Sequence, residues 1–441
     1  MKKFFALFLA LLMVFSMVAC GAKEEAPAAK EETKTEAPKE EAKEEAKEEA
    51  PAEEGKLYEG VELTVWLAPR VNNDVDIPFW DKQFDKFEEE TGATVTVEIV
   101  GWADMATKYL TGFMGGSAAD VLYFNNETLY DFVNQGCLLD LTPYWSDEEV
   151  ANENFWDATA VNGKHYSVPF AGGASYRGLI FNMEIMEECG IEALPTSWEE
   201  LLDVCEIIHT KRPDVYTYLT PMAGDNSAFI LNIMTYLYQA GGSMLNEDGS
   251  AYTLNTNEAL EAMNMIKTLV DKGYLSTDCL GLDAAATRDL FGEGKVAITL
   301  DTHAGVAPLC DFEWDLSTDM VGAEAASFCP VDTIAVNANS ANVEAAVAAL
   351  KHLRTADVAS AVFEELRPTG QLLKTWPLVN EYDQMTDAIE HPERAFAMPL
   401  APNLQLVVDS CMTNQQLMVM GSLTPEDALA QIQAEADKAF N

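Results

Sequence analysis

The sequence predicts an α/β fold built as two units, with the chain passing between them more than once. Three observations carry this. From Val61 to Phe124, short β-branched apolar runs alternate with amphipathic helical stretches at the spacing of a parallel sheet. A Gly/Pro-rich segment, Pro169-Phe170-Ala171-Gly172-Gly173, then interrupts the pattern. Beyond it the alternation resumes, with strand-like runs as late as residues 295–301 and 328–337.

Taken in order, residues 61–67 (VELTVWL) alternate and are rich in β-branched side chains, so they predict a strand. Residues 78–91 place Trp80, Phe84 and Phe87 on one helical face, with Pro78 at the start and Gly92 as the stop. Residues 93–100 (ATVTVEIV) predict the next strand, 104–114 a helix, and 119–124 (ADVLYF) a third strand ending in Asn125-Asn126. Ligands on such sheets gather at the carboxyl ends of the strands. Here those ends are the loops 68–73, 101–102 and 125–127. Past the Gly/Pro segment, residues 175–182 (SYRGLIFN) predict a strand. Ser197 and Glu200 stand at capping-box spacing ahead of a helix. Helices are predicted over 227–240, 257–272, most of 342–366, and 425–440, and strands over 295–301 and 328–337 (FCPVDTIAVN).

Charge excludes several functions. The 441 residues carry 27 Lys plus Arg against 73 Asp plus Glu, a net −46, so no basic stripe for nucleic acid can be assembled. Residues 21–55 hold 13 Glu against 6 Lys, and the body from Lys56 onward keeps 60 acids against 19 bases, a net of −41. Its surface therefore repels polyanions and anionic headgroups. The eight Cys and five His show no metal-ligand spacing, and removing Cys20 leaves an odd seven, no disulfide framework. No metal or cofactor is expected. Nor is there a nucleophile elbow, a P-loop or a Ser/His/Asp pattern, and with 73 acids carboxylate pairs arise by chance, so a secreted glycosidase is only a remote alternative.

Lys2 and Lys3 ahead of the apolar run 4–19 have the layout of a secretory signal peptide. The following Met17-Val18-Ala19-Cys20-Gly21 resembles the lipobox of bacterial lipoproteins, which implies lipidation at Cys20. Residues 20–55, with the run EEAKEEAKEEA and spaced prolines, then read as an acidic disordered tether.

The body resembles the extracellular solute-binding proteins of bacterial ABC importers, family 1, the group similar to maltodextrin- and oligosaccharide-binding proteins. The resemblance rests on LTVWLAP (63–69), FDKFEEETGATVTVE (84–98), ADVLYF (119–124), LLDLTPYW (138–145), HYSVPFAGGASYRGLIFN (165–182) and GIEALPTSWEELLDVC (190–205). GYLSTDC (273–279), LFGEGKVAITLD (290–301) and VEAAVAALKHL (343–353) continue it in the family's order. It implies a two-lobe periplasmic-binding-protein-like fold with a hinge and several chain crossings. One lobe would combine 57–168 with 298–335, the other 171–295 with 338–441. It also implies a lipid-anchored monomer on the outer face of the membrane, which captures a carbohydrate between its lobes and delivers it to a permease. A polyol or peptide binder, or a ligand sensor of the same fold, stays open as an alternative.

For a saccharide, planar polar side chains would meet hydroxyls and aromatic faces would meet the apolar ring face. Trp66, Trp80, Trp145 and Trp156 sit in apolar patterns and read as core, whereas Trp102 follows a strand-ending Gly and reads as a cleft residue. Tyr176 and Arg177 fall where the resemblance places a cleft contact. Asp225 and Asn226 precede a helix whose N–H groups point at ligand oxygens, or simply cap it. Asn125 and Asn126 end a strand, and Arg70 follows another. Sugar-binding relatives commonly carry Gly-x-Trp after the strand 295–301, where this chain has Asp301-Thr302-His303. Asp301 and His303 are therefore expected to face the ligand, with Trp376 as a replacement platform.

Overall fold

The computed structural model describes residues 56–441 apart from 103, 173–176, 225, 318–321, 367–372, 374–393 and 441. Signal, lipobox and tether thus lie outside the described residues. No helix among the described residues is long and apolar enough to cross a membrane.

The first sheet begins as predicted. Strand β1 (Glu62–Leu67) pairs in parallel with β2 (Thr94–Ile99) and with β3 (Val121–Phe124). Helix α1 (Asn73–Thr91) starts five residues before Pro78, because the Asn72 side chain accepts from the N–H groups of Asp74 and Val75. Its stop at Gly92 is as expected: φ there is +78°, a conformation only glycine adopts without strain. Helices α2 (Met105–Gly115) and α3 (Asn126–Asn134) connect onward. A short helix α4 (Asp147–Asn152) follows, with a small hairpin of β4 (Ala160–Val161) and β5 (Lys164–His165). Strand β6 (Val168–Gly172) then leads toward the other lobe.

The second sheet is built around β7 (Arg177–Asn182), which is antiparallel to β9 (Val296–Thr302), itself parallel to β8 (Tyr216–Leu219). Helices α5 (Met183–Glu188) and α6 (Trp198–Lys211) precede β8, the latter capped by Ser197 as its spacing predicts. The predicted helix 227–240 forms in three pieces: α7 (Ser227–Phe229), a π turn over Ile230–Met234, and α8 (Thr235–Gln239). Asn232 Nδ2 donates to the carbonyls of Pro221 and Ala228, and Thr235 Oγ1 donates to Ile230, so side chains meet backbone groups that the wider turn frees. Helices α9 (Asn257–Asp271), α10 (Ala284–Gly292) and α11 (His303–Val306) bracket β9. Strand β10 (Trp314–Ser317) pairs with the outer side of β7.

Two boundaries differ from the sequence reading. Residues 328–337 are not one strand. Pro330 lies between β11 (Ser327–Phe328), which joins the second sheet beside β7, and β12 (Val331–Val336), which runs antiparallel between β3 and β6 in the first. Proline has no N–H to give a central ladder, so the chain changes sheet there. The lobes consequently partition differently. β9, expected at 298–301 in the first lobe, lies inside the second sheet. Helices α12 (Val343–Leu353) and α13 (Ala356–Ala361), expected in the second lobe, pack on the first.

Among the described residues the first sheet runs β2-β1-β3-β12-β6. The second runs β13-β11-β7-β9-β8, where β13 is Ala395–Phe396. Each has its own core. Leu63, Trp80, Phe84, Tyr109, Phe124, Ile334 and Leu350 are buried in the first, and Phe181, Leu201, Tyr218, Phe229, Phe291 and Ile298 in the second. Helices α14 (Leu404–Val419) and α15 (Pro425–Ala436) close the second. Burying one such side chain is worth about 1.5–3 kcal/mol, so each lobe is held largely by its own sheet and helices.

The described cysteines, 137, 189, 205, 279, 310, 329 and 411, are in no disulfide. Burial pushes Cys279 and Cys329 up to about 12, which keeps them protonated and inert as nucleophiles.

Candidate functional site

The crossings set the site. β6 ends at Gly172 and β7 begins at Arg177, while only Cys329 and Pro330 separate β11 from β12. Three Cα steps reach at most roughly 11 Å. The ends joined by these links are the edge of the first sheet where β1, β2 and β3 finish, and the edge of the second where β8 and β9 finish. The carboxyl edges of the two sheets therefore border one cleft. A third link, residues 398–403, ties the lobes again. Asn126 Nδ2 donates to the Met398 carbonyl at 3.0 Å, and the Asn403 N–H donates to Asp131 at 3.1 Å.

On the first edge, the buried Asp76 carboxylate in the first turn of α1 accepts the N–H groups of Arg70 (2.8 Å) and Val71 (3.1 Å). That fixes the loop after β1. The Arg70 guanidinium then lies over the Tyr123 ring at 5.2 Å and near Phe170 at 6.0 Å. Trp102, in the loop after β2, is 43% exposed and meets Tyr123 edge-on at 5.7 Å. Burial holds the Tyr123 hydroxyl far above its ordinary pKa, and Asp332 on β12 adds to the rise while Arg70 opposes it. The hydroxyl thus keeps its proton at any physiological pH, between the Asp332 carboxylate and the Arg70 guanidinium. Asn125 precedes the first turn of α3 without a side-chain bond to its backbone, and its Oδ1 accepts from the Thr128 hydroxyl at 3.3 Å.

On the second edge, Arg177 opens β7 opposite Thr302 and Phe328, with its guanidinium 5.2 Å from the centre of the Phe328 ring. His303 begins the turn after β9 and packs 5.0 Å from Trp314, and burial lowers its pKa below the ordinary imidazole value. Asn226 exchanges two amide hydrogen bonds with Gln405 on α14, both 3.0 Å. Tyr176, Asp225 and Trp376, named from the sequence, lie outside the described residues.

Two expectations need correction. Asp301 was expected to hold ligand hydroxyls, but its carboxylate is 2% exposed. It is gripped by a two-pronged Arg288 fork (2.6 and 2.8 Å) and by the Thr302 N–H (2.7 Å). A buried carboxylate without such a partner would be costly, so its oxygens serve the fold. Gly305 makes room for the pair: a Cβ there would stand 2.7 Å from Asp301 Oδ1 and 2.8 Å from Arg288 Nε. Asn126 is buried and its Nδ2 is given to the Met398 carbonyl, so that amide nitrogen ties the lobes and is not offered to a ligand.

The structure thus gathers Arg70, Trp102 and Asn125 on one edge and Arg177 and His303 on the other. It adds Tyr123, Phe170 and Asp332, which the sequence reading missed. Tyr123 carried no signal, since all four residues of β3 are buried and show no alternation. Phe170 stood inside the Gly/Pro crossing that had been singled out, but only long-range pairing reveals where it sits. Trp66, Trp80 and Trp145 are buried in the first core, and Trp156 packs against it.

The sequence profile of the bacterial extracellular solute-binding proteins matches residues 73–360. A Brucella abortus protein named as a binding protein is 27% identical over 384 residues, covering 82% of this chain and 89% of its own length. A carbohydrate ABC transporter substrate-binding protein of Streptococcus pneumoniae is 29% identical over 138 residues, 30% of this chain and 28% of that protein. Among solved structures, an ABC transporter solute-binding protein of Thermotoga lettingae bound to α-D-tagatose superposes with a TM-score of 0.73 at 21% identity, covering 87% of this chain and 100% of that one.

Proposed function

The chain belongs to the bacterial extracellular solute-binding proteins, and on that basis we propose that it captures a carbohydrate in its interlobe cleft and delivers it to the membrane permease of an ABC importer. The observation that carries the reading is the first edge of the cleft. There an exposed indole, a guanidinium laid over a buried tyrosine, and the neighbouring Asp332 present an apolar face beside charged hydrogen-bonding groups. Pyranose rings offer the complement, C–H groups on one face and hydroxyls at the rim. The sugar named with the Thermotoga lettingae structure and the carbohydrate named with the Streptococcus pneumoniae relative agree with this chemistry. In this reading Arg70, Trp102, Asn125, Arg177 and His303 contact the ligand together with Asn226, and the sequence adds Tyr176, Asp225 and Trp376 from outside the described residues. The protein acts as a monomer.

The test is thermal unfolding with tagatose, maltose, maltotriose, lactose and xylobiose, and with sorbitol and a dipeptide as controls. A saccharide at a hundred times its Kd stabilises by about 2.7 kcal/mol. Stabilisation by a saccharide and by neither control is expected. Stabilisation by the dipeptide or sorbitol alone would replace the carbohydrate with another solute.

Cys20, after Met17-Val18-Ala19, supplies the anchor on the outer face of the cytoplasmic membrane. Cys20→Ser is expected to move the protein from the membrane fraction to the medium, and an intact chain already found in the medium would contradict anchoring.

A further inference from the structure

The pairing of β6 with β12 contains one irregularity. Gly172 pairs with Val331 and Ala171 with Asp332, but Thr333 pairs with Pro169, so Phe170 is left outside the ladder as the extra residue of a β-bulge. A bulge re-aims the side chain it carries, and bulges recur beside functional sites. This one lies two residues before β6 ends at the cleft. The Phe170 ring is half-buried, 6.0 Å from Tyr123 and 6.1 Å from Trp80, with the Arg70 guanidinium at 6.0 Å. Trp102 approaches the same tyrosine from another direction at 5.7 Å. Two partly open rings thus flank one buried ring that a cation covers.

Behind the bulge is an ion pair that nothing at the surface requires. Arg354 Nε donates to the Pro169 carbonyl at 2.7 Å, the residue before the bulge, while its two terminal nitrogens fork onto Glu153. Trp145 Nε1 donates to the same carboxylate at 3.2 Å. The side chains of Arg354 and Glu153 are only 5% and 1% exposed. Such a pair costs desolvation and is weak evidence for stability, but it fixes geometry, here that of the carbonyl that sets the bulge.

We propose that Phe170 is a stacking platform for a ring-form saccharide, and that the buried Glu153–Arg354 pair positions it through the Pro169 carbonyl. This rests on the carbohydrate reading above. Phe170 offers a flat apolar face to the ring's C–H groups and pairs with Trp102 across Tyr123, so an open-chain polyol gains little from it.

Affinities for tagatose, maltose, maltotriose, lactose, xylobiose and sorbitol, measured by calorimetric titration, test it. Phe170→Leu is expected to weaken whichever sugar binds by about tenfold, while Phe170→Tyr keeps the affinity. Arg354→Lys retains the charge but not the fork, and is expected to weaken the same sugar several-fold in the parent and not at all in the Phe170→Leu background. A purely structural role would give additive losses. If Arg354→Lys does not fold, Glu153→Gln takes its place in the cycle. A parent that binds a sugar which Phe170→Leu binds equally well overturns the platform and leaves the carbohydrate reading standing. Additive losses overturn the positioning role. A parent that binds none of the sugars overturns both readings together.

Discussion

Replacing Arg354 by Met is expected to destabilise the body by roughly 3–5 kcal/mol, the usual cost of leaving a buried charge without its partner. The Glu153 side chain is 1% exposed and would retain only the indole N–H of Trp145. The Pro169 carbonyl would also lose its donor. The loss acts on the first lobe, because Arg354 caps α12 and α12 packs on the first sheet through Ala346, Ala349 and Leu350. Removing both charges, with Glu153→Leu added, is expected to restore most of the lost stability, since matched apolar side chains escape the desolvation that the pair suffers. Denaturant unfolding reads the difference as a fall in midpoint at unchanged slope. A single variant as stable as the parent would show that water reaches Glu153 and that the pair is not the anchor of β6.

Much of this architecture was legible in the residues, and the exceptions share a physical reason. The amphipathic face of α1 and the alternation of β2 reveal which side is buried, so both elements were read with small errors at their ends. β9 is buried at all seven positions. A strand covered on both faces reads as a continuous apolar run and carries no sign of which sheet it joins. It was accordingly placed in the wrong lobe. Helix α12 shows one apolar face but not what that face meets, and it was misplaced in the same way. Arg70 and Trp102 stand at the cleft edge as the sequence implies, because the loops after β1 and β2 lie at the carboxyl ends of their strands. Asp301 was misread because its partner, Arg288, sits on the preceding helix and approaches only when the fold closes. Phe170 was missed because a bulge is defined by pairing with residues about 160 positions later.

The second large effect concerns shape. The lobes are joined by the short link at 329–330, by the crossing from β6 to β7, and by the strap that Asn126 and Asn403 hold. Each lobe keeps its own core on either side of these described links, the geometry in which one lobe rotates on the other by hinge closure. A saccharide that touches Arg70 and Trp102 on one edge and Arg177 on the other gains contacts only when the edges approach, so binding and closure are coupled through its differential affinity. A compact body of this length has a radius of gyration of roughly 21 Å. The most direct measurement is small-angle scattering of the tether-free body alone and with a saturating concentration of the saccharide that stabilises it. A smaller radius of gyration in the complex, with the change lost in Trp102→Ala at the same sugar concentration, is the predicted result. A radius that stays constant while the sugar is demonstrably bound would contradict a ligand held between two closing lobes.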